Sequence, residues 1–162
     1  MVTKIKNINR ALDVALYFIK KGVDEKKPIT NKKMQKLVYY AQAWSLVLNK
    51  EKLFNERIEA WVHGPAIPSL YKKFMQFGSE PIVLENSEFE NINFSKKQEK
   101  LLSNIWQVYG KYPADYLEAL SHSELPWQEA RGDAPSSQPS NKTIKLETIK
   151  TFYARKLREN SK

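Results

Sequence analysis

The sequence predicts a mainly α-helical protein, a single compact domain over residues 1–162 with six or seven helices and at most a small β element. Three observations predict it. Apolar side chains recur at spacings of three and four in several segments, Gly and Pro residues separate those segments, and a 41% hydrophobic content in 162 residues suffices for one core. We expect that core to span about residues 8–157.

Two amphipathic helices are predicted first. One begins at Ile8 and stops at Gly22. The next has Thr30 as its N-cap, with Ile29 and Met34 at the two positions of a hydrophobic staple, and is expected to end at Asn49. Its apolar stripe consists of Met34, Leu37, Val38, Ala41, Trp44 and Leu48.

The chain from Leu53 to Val62 partly alternates between apolar and polar residues, which predicts an extended segment or a short strand. His63, Gly64 and Pro65 then interrupt it. Pro65 and Pro68 both fit the first turn of a helix, where a missing backbone N–H costs nothing, and Gly78 is expected to end that helix.

Helices also dominate the second half. Residues 79–94 are predicted as an acidic loop in which 81–84 could pair briefly as a strand, and residues 132–142 as a surface loop rich in Ser and Pro. The predicted helices are one after the capping box of Ser95 and Gln98 up to Gly110, one opened by Pro113, a turn opened by Pro126, and a last helix from Leu146 to Glu159.

The charge is positive but unevenly distributed. The net charge is +9, and residues 1–36 hold ten Lys or Arg against three acidic residues. Residues 79–95, in contrast, hold four Glu and no Lys or Arg. This pattern fits an acidic partner or simply a solvated surface. No apolar run is long enough for a membrane span, residues 1–6 lack the apolar stretch of a secretion signal, and cysteine is absent, so we expect a cytoplasmic protein with no membrane partner.

The sequence offers little for catalysis, so we expect no catalytic, cofactor-binding or metal residues and no enzyme activity. His63 and His122 are too few for a zinc centre, and the five glycines form no phosphate-binding loop. The run Ser121-His122-Ser123 suggests a hydrolase only weakly, since nucleophile and base usually come from separate elements. We expect it to be a helix end, with Ser123 capping the next turn.

Two kinds of partner remain open. Basic residues suit nucleic acid, although lysine alone reads bases poorly, and a nucleic-acid-binding regulatory protein is therefore the alternative interpretation. The abundance of Tyr and Trp favours a protein partner instead. On the second helix, Tyr39 and Gln42 lie off the apolar stripe and are expected to be exposed. Together with Lys36 and His63, they are our candidates for partner binding.

Three ordered blocks of sequence carry a specific resemblance: KMQKLVYYAQAW at 33–44, EAWVHGPAIPSLY at 59–71 with Phe54 before it, and LSHSELPWQEAR at 120–131. In this order they resemble the Panacea antitoxin domain, the family of phage-associated GepA-like and SocA-like proteins. The motif residues, expected to maintain the fold, are Leu37, Tyr40, Ala41, Trp44, Trp61, Gly64, Pro65, Pro68, Tyr71, Pro126 and Trp127.

The resemblance implies the antitoxin of a type II-like toxin–antitoxin system, a helical domain that neutralises a cognate protein toxin by direct binding. One branch of the family delivers its toxin to a ClpXP-type protease, so proteolytic delivery is a secondary expectation. Trp61 is expected to pack behind the Gly64-Pro65 turn, and Trp127 to hold the last turn on the core. Toxin choice would then lie in variable surface outside the motif.

Overall fold

Seven α-helices and one two-stranded sheet share a single hydrophobic core in the computed structural model, which describes residues 8–161. The mainly α prediction is confirmed. The helices are α1 (Ala11–Asp24), α2 (Asn31–Trp44), α3 (Pro68–Phe74), α4 (Lys96–Tyr109), α5 (Ala114–His122), α6 (Leu125–Arg131) and α7 (Leu146–Asn160), and the strands are β1 (Glu59–Trp61) and β2 (Gly64–Ala66).

None of the helices in residues 8–161 combines the length and the apolar character that crossing a membrane requires. The expectation that residues 1–6 form no secretion signal lies outside the described residues.

Helix α1 differs from its prediction at both ends. It begins at Ala11 rather than Ile8, and it continues through Gly22 to Asp24. Gly22 lies inside the helix and allows close packing there. A Cβ at this position would lie 2.8 Å from the backbone oxygen of Lys27, so the glycine lets the following loop approach the helix closely.

Helix α2 is the centre of the fold. It contacts α1, α3, α4, α5, α7 and β2, and every residue from Met34 to Ala43 is buried. Its start is as predicted, with the Thr30 hydroxyl accepting a hydrogen bond from Lys33 N at 3.2 Å. The α-helix ends earlier, at Trp44, and the chain continues to Asn49 as a π-helical turn.

The predicted exposure of Tyr39 and Gln42 is wrong, since both are only 1% exposed. Because α2 is surrounded on all sides, positions off its apolar stripe are interior positions too. Tyr39 packs edge-on against Tyr40 and against Tyr153. The Gln42 amide accepts from Leu53 N at 2.7 Å and donates to the Phe54 carbonyl at 2.8 Å, so it holds the next segment against the helix.

The sheet is antiparallel, with Ala60 opposite Pro65, and Val62 and His63 connect the strands. Pro65 therefore lies in a strand and does not open a helix, while Pro68 does open α3. Chain from beyond α6 returns to the free side of β1, where Ala60 N donates to Lys142 O at 2.9 Å and Ile144 N donates to Ile58 O at 2.8 Å.

The second half follows the prediction closely. The Ser95 and Gln98 capping box is present at the start of α4. The predicted strand at 81–84 is reduced to a single bridge between Pro81 and Thr30. Ser123 does not cap α6; its hydroxyl donates to Leu120 O, and Glu124 is the N-cap residue.

Candidate functional site

A pocket of about 490 Å³ opens beside the turn that joins β1 and β2. Helix α2 contributes Lys36 to its lining, the sheet contributes Trp61 and Gly64, and the connecting turn contributes His63. Helix α3 adds Tyr71. The lining is mostly apolar, and ligand sites in proteins are usually concave and apolar with a few placed polar groups. This pocket is therefore the candidate site.

Lys36 is the buried charged residue of the pocket lining. The residue is only 2% exposed, yet its ammonium has no carboxylate within ion-pair distance among residues 8–161. The one hydrogen bond that it makes within the described part of the chain goes to the Pro65 carbonyl, 3.2 Å away. Burial lowers the pKa of Lys36 to about 7, against a smaller opposing effect of Glu118. A buried, unpaired cation of this kind is rare, because removing a charge from water is costly.

Gly64 makes room for Lys36. Its backbone has φ of +103°, a region that other residues rarely adopt. A Cβ at this position would lie 2.7 Å from Lys36 Cε and 3.0 Å from Ser121 Oγ. Both the turn and the lysine thus require a glycine here.

Trp61 and Tyr71 form the aromatic wall of the pocket. Their rings meet edge to face, with centroids 5.1 Å apart at 74°. The Trp61 indole also donates to Glu59 Oε1 at 2.9 Å, and Arg57 holds the other oxygen of Glu59 at 2.7 Å. Tyr71 is 46% exposed, so part of this wall faces solvent.

A small charged network borders the pocket at α5. Glu118 accepts from His63 Nδ1 at 2.6 Å and from Lys32 at 3.0 Å, and Lys32 also pairs with Asp115 at 2.9 Å. Burial would raise the pKa of Glu118, but the hydrogen bonds from Lys32 and His63 hold it below the usual value. Glu118 is therefore ionised and already engaged by two neighbours.

The Ser121-His122-Ser123 run does not assemble a nucleophile. Ser121 Oγ donates to the backbone carbonyl of Glu118 at 2.9 Å, while the His122 ring stacks on Trp127 at 4.0 Å. Burial lowers the pKa of His122, which favours a neutral, packed ring. Within residues 8–161, no group of three or more His, Cys, Asp or Glu side chains is arranged to hold a metal ion.

A second polar cluster is centred on Glu124 and includes Tyr40, one helical turn after Lys36 on α2. This buried carboxylate accepts hydrogen bonds from Tyr40 at 3.0 Å, from Tyr153 at 2.7 Å and from Lys156 at 3.1 Å. It joins α2 and α7 to the connection between α5 and α6. The cluster is interior, and its role is to hold the helices together.

The candidate residues named from sequence fall into two groups. Those that line the pocket are Lys36, Trp61, His63, Gly64 and Tyr71. The others pack inside or beside the core: Leu37, Tyr39, Tyr40, Ala41, Gln42, Trp44, Pro65, Pro68, Pro126 and Trp127. Sequence reasoning missed Glu118 and Glu124, because nothing in the local pattern distinguishes either from a solvated surface glutamate.

Comparison with known proteins gives two matches. Residues 34–128 match the family described as "Antitoxin SocA-like, Panacea domain". A segment of 110 residues is 36% identical to the protein named Antitoxin SocA of Caulobacter vibrioides (strain NA1000 / CB15N), covering 62% of this chain. The match spans 58% of the length of that relative. No solved structure matches the chain.

Proposed function

The chain belongs to the family of SocA-like antitoxins with a Panacea domain, and from that premise we propose that it neutralises a protein toxin by binding it directly, without an enzymatic step. The observation that carries the proposal is the family match over residues 34–128, a range that contains Lys36, Trp61, His63, Gly64 and Tyr71 of the pocket. The chain spans 58% of the length of the named relative, so an antitoxin activity like that of the relative is proposed for this chain.

Two exposed apolar surfaces are available for such binding. One is the pocket face, defined here by Trp61, His63 and Tyr71. The other is the α4–α5 groove, an opening of about 440 Å³ defined here by Val108 and Tyr116. Tyr and Trp in concave, partly exposed positions are typical centres of protein interfaces. We assign the toxin to the pocket face, since it combines aromatic walls with a buried cation.

The basic residues of α2 favour this interpretation over nucleic-acid binding. Lys32 is paired with Asp115 and Glu118, and Lys33 Nζ donates to the Gly110 carbonyl at 2.5 Å. Lys36 is buried. A phosphate backbone needs free surface cations, whereas Lys32 and Lys33 are already bonded to other groups of the protein and Lys36 is buried. A gel shift titrated with salt tests the alternative, because a sequence-specific complex that survives moderate salt would support it.

Co-expression tests the proposal. The toxic gene encoded beside this chain is expressed alone and together with it, and the complex is isolated through a tag on the toxin. We expect rescued growth and a co-purifying complex. Tyr71 and Tyr116 are both 46% exposed, so Y71A and Y116A form a matched pair. Y71A should weaken the complex about tenfold, while Y116A should leave it nearly unchanged.

The amount of toxin distinguishes two routes to rescue. If binding alone neutralises, toxin accumulates in rescued cells and remains in complex. If the chain delivers toxin to a ClpXP-type protease, the half-life of the toxin falls on co-expression and recovers when the protease is deleted. If the chain does not restore growth to cells that express the neighbouring toxic gene, and no complex appears in the pull-down, the antitoxin function itself is contradicted.

A further inference from the structure

We propose that the pocket over Lys36 is a carboxylate-binding site, and that it receives an Asp or Glu side chain of the bound toxin together with an apolar neighbour. This inference rests on the proposed function. It adds the chemistry of the contact, with a buried ammonium at the base of the pocket and the rings of Trp61 and Tyr71 at its wall.

The charge of Lys36 is the first argument. An ammonium has three N–H donors, and the only acceptor within residues 8–161 is the Pro65 carbonyl, which takes one. Glu118, the acidic residue that acts on Lys36, is occupied by His63 and Lys32. When Lys36 is protonated, two N–H donors are therefore left for a group from outside, and a bound carboxylate would favour this charged form. A carboxylate satisfies both at once, and the pair gains strength where water is excluded.

The shape of the pocket is the second argument. Its volume of about 490 Å³ lies within the range of roughly 300–1,000 Å³ that is usual for ligand sites. This volume is larger than one carboxylate group would fill. Trp61, Val62, Gly64 and Ala66 supply apolar surface around Lys36. The other lysine of the lining, Lys32, is already paired with Asp115 and Glu118. An acidic side chain beside an apolar residue matches this combination. A phosphate group does not, since its greater charge usually requires several cations.

The polar side chains beside Lys36 support the same choice, because they are already satisfied. Gln35 donates to Asn31 Oδ1 at 3.1 Å and accepts from Ile67 N at 2.8 Å, and Asn31 donates to the Tyr71 carbonyl at 3.3 Å. These amides hold α2, β2 and α3 in place around the pocket. They leave Lys36 as the buried donor that a ligand would meet.

The decisive experiment compares K36M with K150M in the complex with the co-expressed toxin. Both variants lose one positive charge, but Lys150 is exposed on α7 and does not line the pocket. We expect the toxin dissociation constant of K36M to rise about 10- to 100-fold and that of K150M to change less than about twofold. K36M should at the same time be at least as stable as the wild type. A weaker complex would then reflect the lost contact with the toxin and not a loss of folded protein.

Toxin variants identify the other half of the contact. Each Asp and Glu of the toxin is replaced by Ala, and the coupling to K36M is measured by a double-mutant cycle. One acidic residue should lose affinity in wild type and lose nothing further in K36M. If K36M binds toxin as the wild type does, or no toxin acid couples to it, the proposal is overturned. Should K36M fail to fold, K36Q replaces it in the same cycle.

A small-molecule probe tests the carboxylate site without the toxin, so its result does not depend on the proposed antitoxin function. The full chain is titrated with phenylacetate and with its neutral isostere phenylacetamide, following the indole resonances of Trp61 by NMR. We expect phenylacetate to bind at least about fivefold more tightly in wild type and K150M, and this preference to vanish in K36M. Equal binding of the two probes contradicts a carboxylate site. If phenylacetate binds but K36M leaves the affinity for toxin unchanged, the site takes a free carboxylate as its ligand. The proposed contact with the toxin is then overturned.

Discussion

The indole Nε1 of Trp127 donates a hydrogen bond to the backbone carbonyl of Trp61, 2.8 Å away. This bond joins α6 to the last residue of β1. The ring of Trp127 packs on His122 at 4.0 Å, and the guanidinium of Arg131 lies 4.9 Å from its centroid. The wall of the pocket is therefore held in place from behind by an element that is 66 residues away in the chain.

We expect W127F to destabilise the protein by about 1–3 kcal/mol, since a part-buried carbonyl loses its donor while most of the packing remains. Chemical denaturation followed by circular dichroism measures the change. W106F is the matched control. Trp106 donates to the exposed carboxylate of Glu25, which water can satisfy when the indole is lost, so a cost below about 1 kcal/mol is expected. Equal costs would contradict the assigned role of Trp127.

Lys36 gives the stability a distinct pH dependence. Its pKa is about 7 in the folded protein and about 10.5 when unfolded, so between these values the unfolded chain binds more protons. Lys36 therefore lowers stability fully below pH 7, and this penalty disappears as the pH rises towards 10. K36M should be more stable than the wild type by about 1–3 kcal/mol at pH 6, with the difference shrinking by pH 10.

Denaturant unfolding of wild type and K36M at pH 6, 8 and 10 measures this difference. Other titrating groups contribute equally to both proteins and cancel, and K150M should show no such trend. A difference that stays constant over this range would mean that the pKa of Lys36 is the same in the folded and unfolded states, and one that grows with pH would mean that folding raises it.

Gly64 should not tolerate a side chain. In G64A the new Cβ would meet Lys36 Cε at 2.7 Å, and the backbone would keep a φ of +103° that alanine disfavours. We expect a loss of about 2–4 kcal/mol from strain and contact together. Gly132 provides the control, since its φ of +56° brings conformational cost while a Cβ there has nothing within 4 Å. G132A should therefore lose only about 1 kcal/mol. Thermal melts of G64A, G132A and the wild type measure both changes in stability.

Removal of the Glu124 carboxylate should be among the most costly single changes. In E124A the hydroxyls of Tyr40 and Tyr153 and the ammonium of Lys156 lose their shared acceptor inside the protein. We expect a loss of about 3–5 kcal/mol in denaturant unfolding. E88A, at an exposed glutamate, should stay within about 0.5 kcal/mol. A small loss in E124A would mean that the three donors find other acceptors.

Local sequence rules predicted much of the fold because the relevant interactions are local. The Thr30 cap and the Ser95 capping box each involve residues three apart, and both are present. The misplaced features depend on distant contacts. Gly22 lies within the helix, where the Lys27 backbone approaches it closely, and Pro65 lies in a strand opposite Ala60. Neither partner is identifiable from periodicity.

The candidate site was only partly accessible from sequence for the same reason. Periodicity separates an apolar face from a polar one, which holds for a helix at a surface, but α2 is enclosed on every side. Periodicity therefore places Tyr39 and Gln42 at the exterior, although both are interior. The sequence indicates Lys36 as a partner-binding candidate, but its burial without a counter-ion depends on Gly64 and Pro65, which are about thirty residues away in the chain.

The outward-facing backbone groups at the middle of both strands are already bonded. Ala60 donates to Lys142 and its carbonyl accepts from Arg131 at 3.0 Å, while Pro65 has no N–H and its carbonyl accepts from Lys36. An incoming chain would find no open ladder on which to add a strand. Any partner of this sheet must engage it through side chains, and self-association through its edges, the usual hazard of small sheets, is closed off as well.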